Sequence, residues 1–188
     1  MTKARTLADF NTTSIPASVL TGALPELDGS ALTNLPAGGE TNSPYFSAKK
    51  ASDQTITRNT MTDVSGFTDN EIDSDSAFNG TTFTVPSGKA GLYFFSALVT
   101  SDFGSIGNDG ERMLVTFKKN GSDAGMPNSD FSKASGYNIQ RYANTISAVL
   151  NLAVGDTINV AVYNKDGDAS GNAKVNPNSF FMGFRIKE

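Results

Sequence analysis

The chain has 188 residues, a net charge of −4, 38% hydrophobic residues and 18% charged residues. It contains no cysteine, no histidine and no tryptophan. These absences exclude disulfides, thiol nucleophiles, Cys-ligated metals and every triad or metal site that needs an imidazole, so we expect no enzyme. The acidic balance argues against binding to nucleic acid. No apolar run approaches the roughly 20 residues of a membrane-spanning helix, so no membrane insertion is expected.

Residues 1–44 differ in composition from the rest and are predicted to be an extended N-terminal segment. They hold four of the seven prolines, a single aromatic residue and isolated leucines, with no run typical of a strand. A short repeat, LTGALP from Leu20, returns as LTNLP from Leu32. Such a segment cannot bury enough apolar surface to fold alone. It is either a disordered tail or, as we favour, an anchor or stalk ordered against other chains.

Residues 45–188 carry the strand signals. In the run 92–99 both the odd-numbered and the even-numbered residues are largely apolar, so both faces of the predicted strand are apolar. We expect one face in the core and the other against a neighbouring subunit. Asn120-Gly121 predicts a tight hairpin turn. The last strand is too apolar for an exposed edge, so we expect it at the centre of a sheet. Alternation predicts that each of three strands carries its apolar residues on one face. These residues are Ile146, Ala148, Leu150 and Leu152 in the first strand, and Ile158, Val160 and Val162 in the second. In the last strand they are Phe180, Met182, Phe184 and Ile186, with Arg185 and Lys187 on the opposite face. Many strands with Gly/Asn/Asp turns and no helical pattern predict an all-β antiparallel sandwich or barrel.

Five stretches of this second part resemble, in order, the globular head of complement component 1q, a relative of tumour necrosis factor. They are YFSA at 45–48, FNGTTFTVP at 78–86 followed by GLYFFS at 91–96, FKKNG at 117–121, LNLAVGD at 150–156 and SFFMGF at 179–184. The resemblance implies a ten-strand antiparallel jelly-roll sandwich that assembles as a homotrimer. It departs from the family in lacking a Gly-X-Y repeat, so collagen-linked immune functions do not transfer.

The N-terminal segment has a resemblance of its own. Residues 4–10 (ARTLADF) and 24–33 (LPELDGSALT) are similar to phrases in bacteriophage tail-fibre and other virion appendage proteins. Together the two resemblances imply a virion structural protein, made in the host cytoplasm. Residues 1–44 would dock on other virion proteins, and the head at 45–188 would contact a host surface glycan or protein. The alternatives are a capsid decoration protein without host recognition, and a secreted adhesin or lectin. The absence of an apolar secretory signal behind Met1 disfavours the last.

Calcium is the one cofactor that the residues suggest. Asp73 and Asp75 end a stretch with four carboxylates in seven residues, and Asp166 and Asp168 resemble half of a calcium loop. The second stretch fails the EF-hand pattern, because Ala169 stands where that loop needs glycine. Some members of the resembled family bind calcium near the trimer axis. Solvated acidic turns are the favoured interpretation of both stretches.

Tyr137, Arg141 and Tyr142 are the candidate binding residues. They lie in a polar connection, and exposed Tyr and Arg are common at binding hot spots and stack on sugars. The alternative interpretation is that Tyr137 and Tyr142 begin a strand and pack inward.

Overall fold

The computed structural model describes residues 42–103, 111–123, 125–132, 141–166 and 173–187. Within these ranges the chain forms twelve β-strands and no helix. The described residues therefore include no helix that is long and apolar enough to cross a bilayer. The predicted anchor at 1–44 lies outside the described residues except for residues 42–44.

The strands in chain order are β1 (Tyr45–Lys50), β2 (Gln54–Ile56), β3 (Met61–Asp63), β4 (Phe67–Asp73), β5 (Thr82–Thr84), β6 (Gly91–Asp102), β7 (Glu111–Lys119), β8 (Asn128–Ser132), β9 (Arg141–Leu152), β10 (Thr157–Asp166), β11 (Ala173–Val175) and β12 (Phe180–Lys187). Ten strands were predicted. Four of the twelve have only three residues, which is shorter than a run that a sequence pattern reveals.

The strands form two antiparallel sheets. The strand order in sheet A is β4-β1-β12-β6-β9. One edge of β6 pairs with β12 over most of its length and with β11 near its C-terminal end, and β11 in turn pairs with β2. Sheet B runs β3-β10-β7-β8, and β5 pairs with the same edge of β10 as β3. The all-β sandwich prediction is confirmed, and β12 lies at the centre of its sheet, as expected for so apolar a strand.

The core lies between the sheets and is built from alternate residues of the long strands. Phe181 of β12 stands at its centre, with its ring centroid 4.9–6.1 Å from those of five other phenylalanines. These five are Phe46, Phe67, Phe78, Phe95 and Phe117. The predicted inward faces of β9 and β10 are confirmed. Burial of this many apolar side chains is the main term that offsets the ordering entropy of the chain.

In strand β12 both faces are apolar, and the structure shows which of them meets the core. Phe180, Met182, Phe184 and Ile186 share one face, as predicted, but that face points away from the core. The opposite face carries Phe181 and Arg185, both buried. Nη2 of Arg185 donates a hydrogen bond to the carbonyl of Ala90 at 2.9 Å, which satisfies part of the buried guanidinium.

The Asn120-Gly121 turn is also confirmed. Both residues have positive φ, 52° and 80°, as a type I′ turn requires. Lys119 and Ser122 exchange two backbone hydrogen bonds across it, at 2.8 and 2.9 Å.

The strand registers separate two ends of the sandwich. At one end, which we call the entry end, β1 begins at Tyr45, and Gly91 at the start of β6 pairs with Leu152 at the end of β9. At the opposite end, the loop end, Asp102 pairs with Arg141, and Asp166 pairs with Glu111. The chain therefore enters the head at one end, and the connections that follow Asp102 and Asp166 leave from the other.

Candidate functional site

The outer face of sheet A is the strongest candidate for a functional surface. The registers of β1, β12, β6 and β9 align outward side chains in rows that cross the four strands. The rows are Tyr45–Phe184–Phe94–Val149, Ser47–Met182–Ser96–Ser147 and Lys49–Phe180–Leu98–Thr145. Ile72 of β4 continues the second row beside Ser47. We call Tyr45, Ile72, Phe94, Val149, Met182 and Phe184 the apolar face.

The side chains of the apolar face are unusually exposed for their chemistry. Val149 is 59% exposed and Ile72 is 58% exposed, while Phe94 and Phe184 are half-buried with ring centroids 5.4 Å apart. The first two rows contain no charged residue. A contiguous apolar patch of this kind marks an interaction surface.

The outer face of sheet B has the opposite character. Lys118 of β7 lies 2.9 Å from Asp63 of β3, and Arg112 of β7 lies 2.6 Å from Asp130 of β8. These exposed ion pairs contribute little to stability, but they make this face hydrophilic. The outer face of sheet B thus combines ion pairs with the row Met61–Tyr163–Leu114, whereas the first two rows of sheet A carry no charged residue.

A groove of about 370 Å³ opens on the apolar face between β4, β1 and β12. No charged side chain lines it. The lining residues are Asn42, Tyr45, Phe46, Ser47, Ile72, Met182, Gly183 and Phe184. The groove lies near the entry end of the head, beside the point at which the chain reaches β1.

Gly183 explains how β12 presents this face. A Cβ at this residue would stand 2.5 Å from a ring carbon of Phe95 and 2.9 Å from one of Phe46. Only glycine lets the two rings pack this close to the β12 backbone. Because successive residues of a strand face opposite sides, Met182 and Phe184, on either side of the inward-facing Gly183, point outward.

Two of the three predicted binding residues, Arg141 and Tyr142, are neighbours at the start of β9, and their side chains point to opposite faces of that strand. Arg141 is exposed, and its Nε lies 3.0 Å from Oδ2 of Asp102. The ring of Tyr142 stacks on Phe131, while the residue stays 40% exposed, so it combines the packing contact with the exposure that the binding prediction requires. Tyr137 lies outside the described residues. The recognition role of all three remains a prediction.

The acidic candidates for calcium are arranged as follows. The carboxylate of Asp73 accepts backbone hydrogen bonds from Ala77 at 3.0 Å and Phe78 at 2.8 Å. The carboxylate of Asp75 accepts a side-chain hydrogen bond from the hydroxyl of Ser74 at 2.6 Å. The side chain of Asp166 and all of Asp168 lie outside the described part. Within that part, no group of three acidic side chains is placed to hold a metal ion.

The sequence analysis missed the margins of the apolar face. Tyr45, Ile72 and Val149 were not singled out, because Tyr45 and Val149 adjoin other apolar residues and Ile72 lies alone between two carboxylates. Their alternation with the buried residues Phe46 and Ala148 was the available clue, since neighbouring residues on a strand face opposite sides.

The fold defines a jelly roll of the complement 1q type. No family model and no curated protein matches the chain. Among solved structures, the chain is similar to the globular domain of zebrafish complement 1qA protein, with a TM-score of 0.53 and 18% sequence identity. The similarity covers 78% of this chain and 99% of that one. It shows the fold, and so confirms the predicted jelly-roll architecture for this chain.

Proposed function

We propose that this chain is a homotrimeric, non-enzymatic binding protein whose subunits meet through the apolar face. The observation that carries the proposal is the uncharged row Tyr45–Phe184–Phe94–Val149, which spans four strands, with Tyr45 and Val149 exposed and the two phenylalanines half-buried in the single chain. Burying such a row against other copies removes apolar surface from water at about 25 cal/mol per Å². The ion-paired face of sheet B would remain in solvent.

The two ends of the head are suited to different functions, attachment at one end and recognition at the other. The chain enters at the entry end, so residues 1–44 are suited to attach the head to a larger particle. The opposite, loop end, where β6 and β10 end and β9 begins, is suited to contact a host surface glycan or protein. Loops on a rigid scaffold are the usual place for recognition, because they can vary without unfolding the sheets.

We further propose that the particle is a virion, with residues 1–44 docking on other virion proteins. This step rests on the similarity of residues 4–10 and 24–33 to phage appendage phrases. A capsid decoration protein and a secreted adhesin or lectin share the same head and remain the alternatives. Electron microscopy of particles labelled through this chain distinguishes tail, capsid and secreted locations.

The trimer is tested with two lysine substitutions of equal chemistry on opposite faces. Val149→Lys puts a charge into the apolar face, and Thr84→Lys puts one at an exposed position of β5 in sheet B. Sedimentation of the full chain is expected to show trimers for the unaltered protein and for Thr84→Lys, and dissociation for Val149→Lys. A monomeric unaltered chain at micromolar concentration contradicts the proposal.

A further inference from the structure

Three buried polar side chains point between the two sheets close to the loop end. Ser101 of β6 is 1% exposed, Asn144 of β9 is 2% exposed and Asn164 of β10 is 1% exposed. Each stands two residues along its strand from a core side chain, so each faces inward. Oγ of Ser101, Oδ1 of Asn144 and both amide atoms of Asn164 have no hydrogen-bond partner in the described part of the chain. Buried polar atoms are almost always paired, so these four atoms require a partner of another kind.

The strand registers place Ser101 and Asn164 at the same level of the sandwich. Ser101 pairs with Tyr142, whose ring stacks across the sandwich on Phe131. Phe131 pairs with Met113, and Met113 pairs with Asn164. Counted from the stack, Ser101 is one strand away in sheet A and Asn164 is two strands away in sheet B. With sheets about 10 Å apart and strands about 4.8 Å apart, their Cα atoms are about 11 Å apart, too far for direct contact between two short side chains.

Asn144 adjoins this pair on the side of the core. Its Nδ2 donates to the carbonyls of Met113 at 3.4 Å and Ser129 at 3.3 Å, both in sheet B. Because a carbonyl only accepts, these contacts fix the nitrogen and identify Oδ1 as the unpaired acceptor. Asn144 lies diagonally beside Ser101, since Ser101 pairs with Tyr142 two residues away, and such neighbours are about 7–8 Å apart.

The chemistry of the unpaired atoms selects the ligand. They are two amide oxygens, one amide NH2 group and one hydroxyl, and none carries a charge. A cation cannot accept from the NH2 group, and a simple anion cannot donate to the amide oxygens. Water does both, and a buried water typically makes about three hydrogen bonds to such groups.

We propose that Ser101, Asn144 and Asn164 bind internal water that bridges the two sheets beneath the Tyr142–Phe131 stack. The loop end of the sandwich is then closed by a polar, hydrated layer under an aromatic one, whereas the centre of the core is apolar. The site lies within one subunit, so it depends neither on the proposed trimer nor on the proposed recognition function.

A crystal structure of the full chain tests the site directly. Ordered water is expected within about 2.7–3.2 Å of Oγ of Ser101 and of the amide of Asn164, and within the same distance of Oδ1 of Asn144. Side chains that pair with one another or with other protein groups, with no water between the sheets here, would overturn the proposal.

A double-mutant cycle tests the shared water in solution. Ser101→Ala and Asn164→Leu each remove one partner of the water and leave the other under-bonded, so the double variant should lose less stability than the two single losses added together. Urea unfolding of the full chain measures this. The control pair, Ser101→Ala with Asn151→Leu at an exposed position of the entry end, should be additive. Additivity in the Asn164 pair, or equal coupling in both pairs, contradicts a water shared by Ser101 and Asn164.

Discussion

The rings of Tyr142 and Phe131 are stacked, with centroids 3.8 Å apart and an interplanar angle of 19°. The stack joins the start of β9 in sheet A to β8 in sheet B. Phe103, whose ring centroid is 6.3 Å from that of Phe131, extends the cluster into the core. Tyr142 therefore helps to close the loop end of the sandwich, whatever else it contacts.

Replacing Tyr142 by Ala is expected to lower the free energy of unfolding by about 1–2 kcal/mol, because the stack and part of the buried ring surface are lost. Tyr142→Phe keeps the ring and should stay close to the unaltered protein. Urea unfolding measures both. An Ala variant as stable as the original would show that the stack contributes nothing.

Arg141→Ala separates recognition from folding more cleanly than any change at Tyr142. The side chain is 66% exposed, so loss of its ion pair with Asp102 should cost no more than about 1 kcal/mol. If the loop end recognises a glycan, this variant should lose binding on a glycan array while remaining a folded trimer. Unchanged binding would exclude Arg141 from the contact.

Gly183→Ala tests the close packing beneath the apolar face. The added methyl group collides with the ring of Phe95, so we expect a loss of about 1–3 kcal/mol in unfolding free energy. Adding Phe95→Leu should recover part of that loss by making room. Full stability of the single variant would show that the β12 backbone can move away from the ring.

Asp156 predicts a specific acid sensitivity. Hydrogen bonds from Asn120, Lys119 and the backbone of Ala153 lower the pKa of Asp156 from 3.8 to about 2. Because the folded pKa lies below the unfolded one, the carboxylate stabilises the fold above the unfolded value and loses this effect as the pH falls through that window. Asp156→Asn should be less stable than the unaltered chain at pH 7. The difference should shrink between about pH 4 and pH 2 in unfolding titrations, and a constant difference would contradict the assignment.

Asp73 distinguishes a structural carboxylate from a calcium ligand. Its carboxylate accepts three backbone hydrogen bonds, from Asp75, Ala77 and Phe78, that hold the turn after β4, so Asp73→Ala should lower the unfolding free energy by about 1–2 kcal/mol. The same loss is expected with excess calcium and with a chelator present. A loss that appears only when calcium is added would instead identify Asp73 as a ligand.

Some features of the head were predictable because they depend on local pattern. Asn120-Gly121 adopts positive φ at both residues, and few other pairs do so without strain. In β9 and β10 the large apolar residues stand at alternate positions, so the pattern itself indicated which face of each strand is buried. The three-residue strands are too short for an alternation pattern to reveal them. Which face of β12 meets the core could be decided only from the strands that pair with it.

The sequence by itself determined the class of protein: an all-β sandwich without cysteine or histidine chemistry, with a compositionally distinct N-terminal segment. Only the tertiary structure decided which apolar residues form the core and which form a surface. Phe181 and Phe184 are chemically the same, and strand alternation sets them on opposite faces without saying which face is inside. Pairing of β12 with β1 and β6 decides it, because it places Phe181 among five other rings and leaves Phe184 in a row that ends in solvent at Val149.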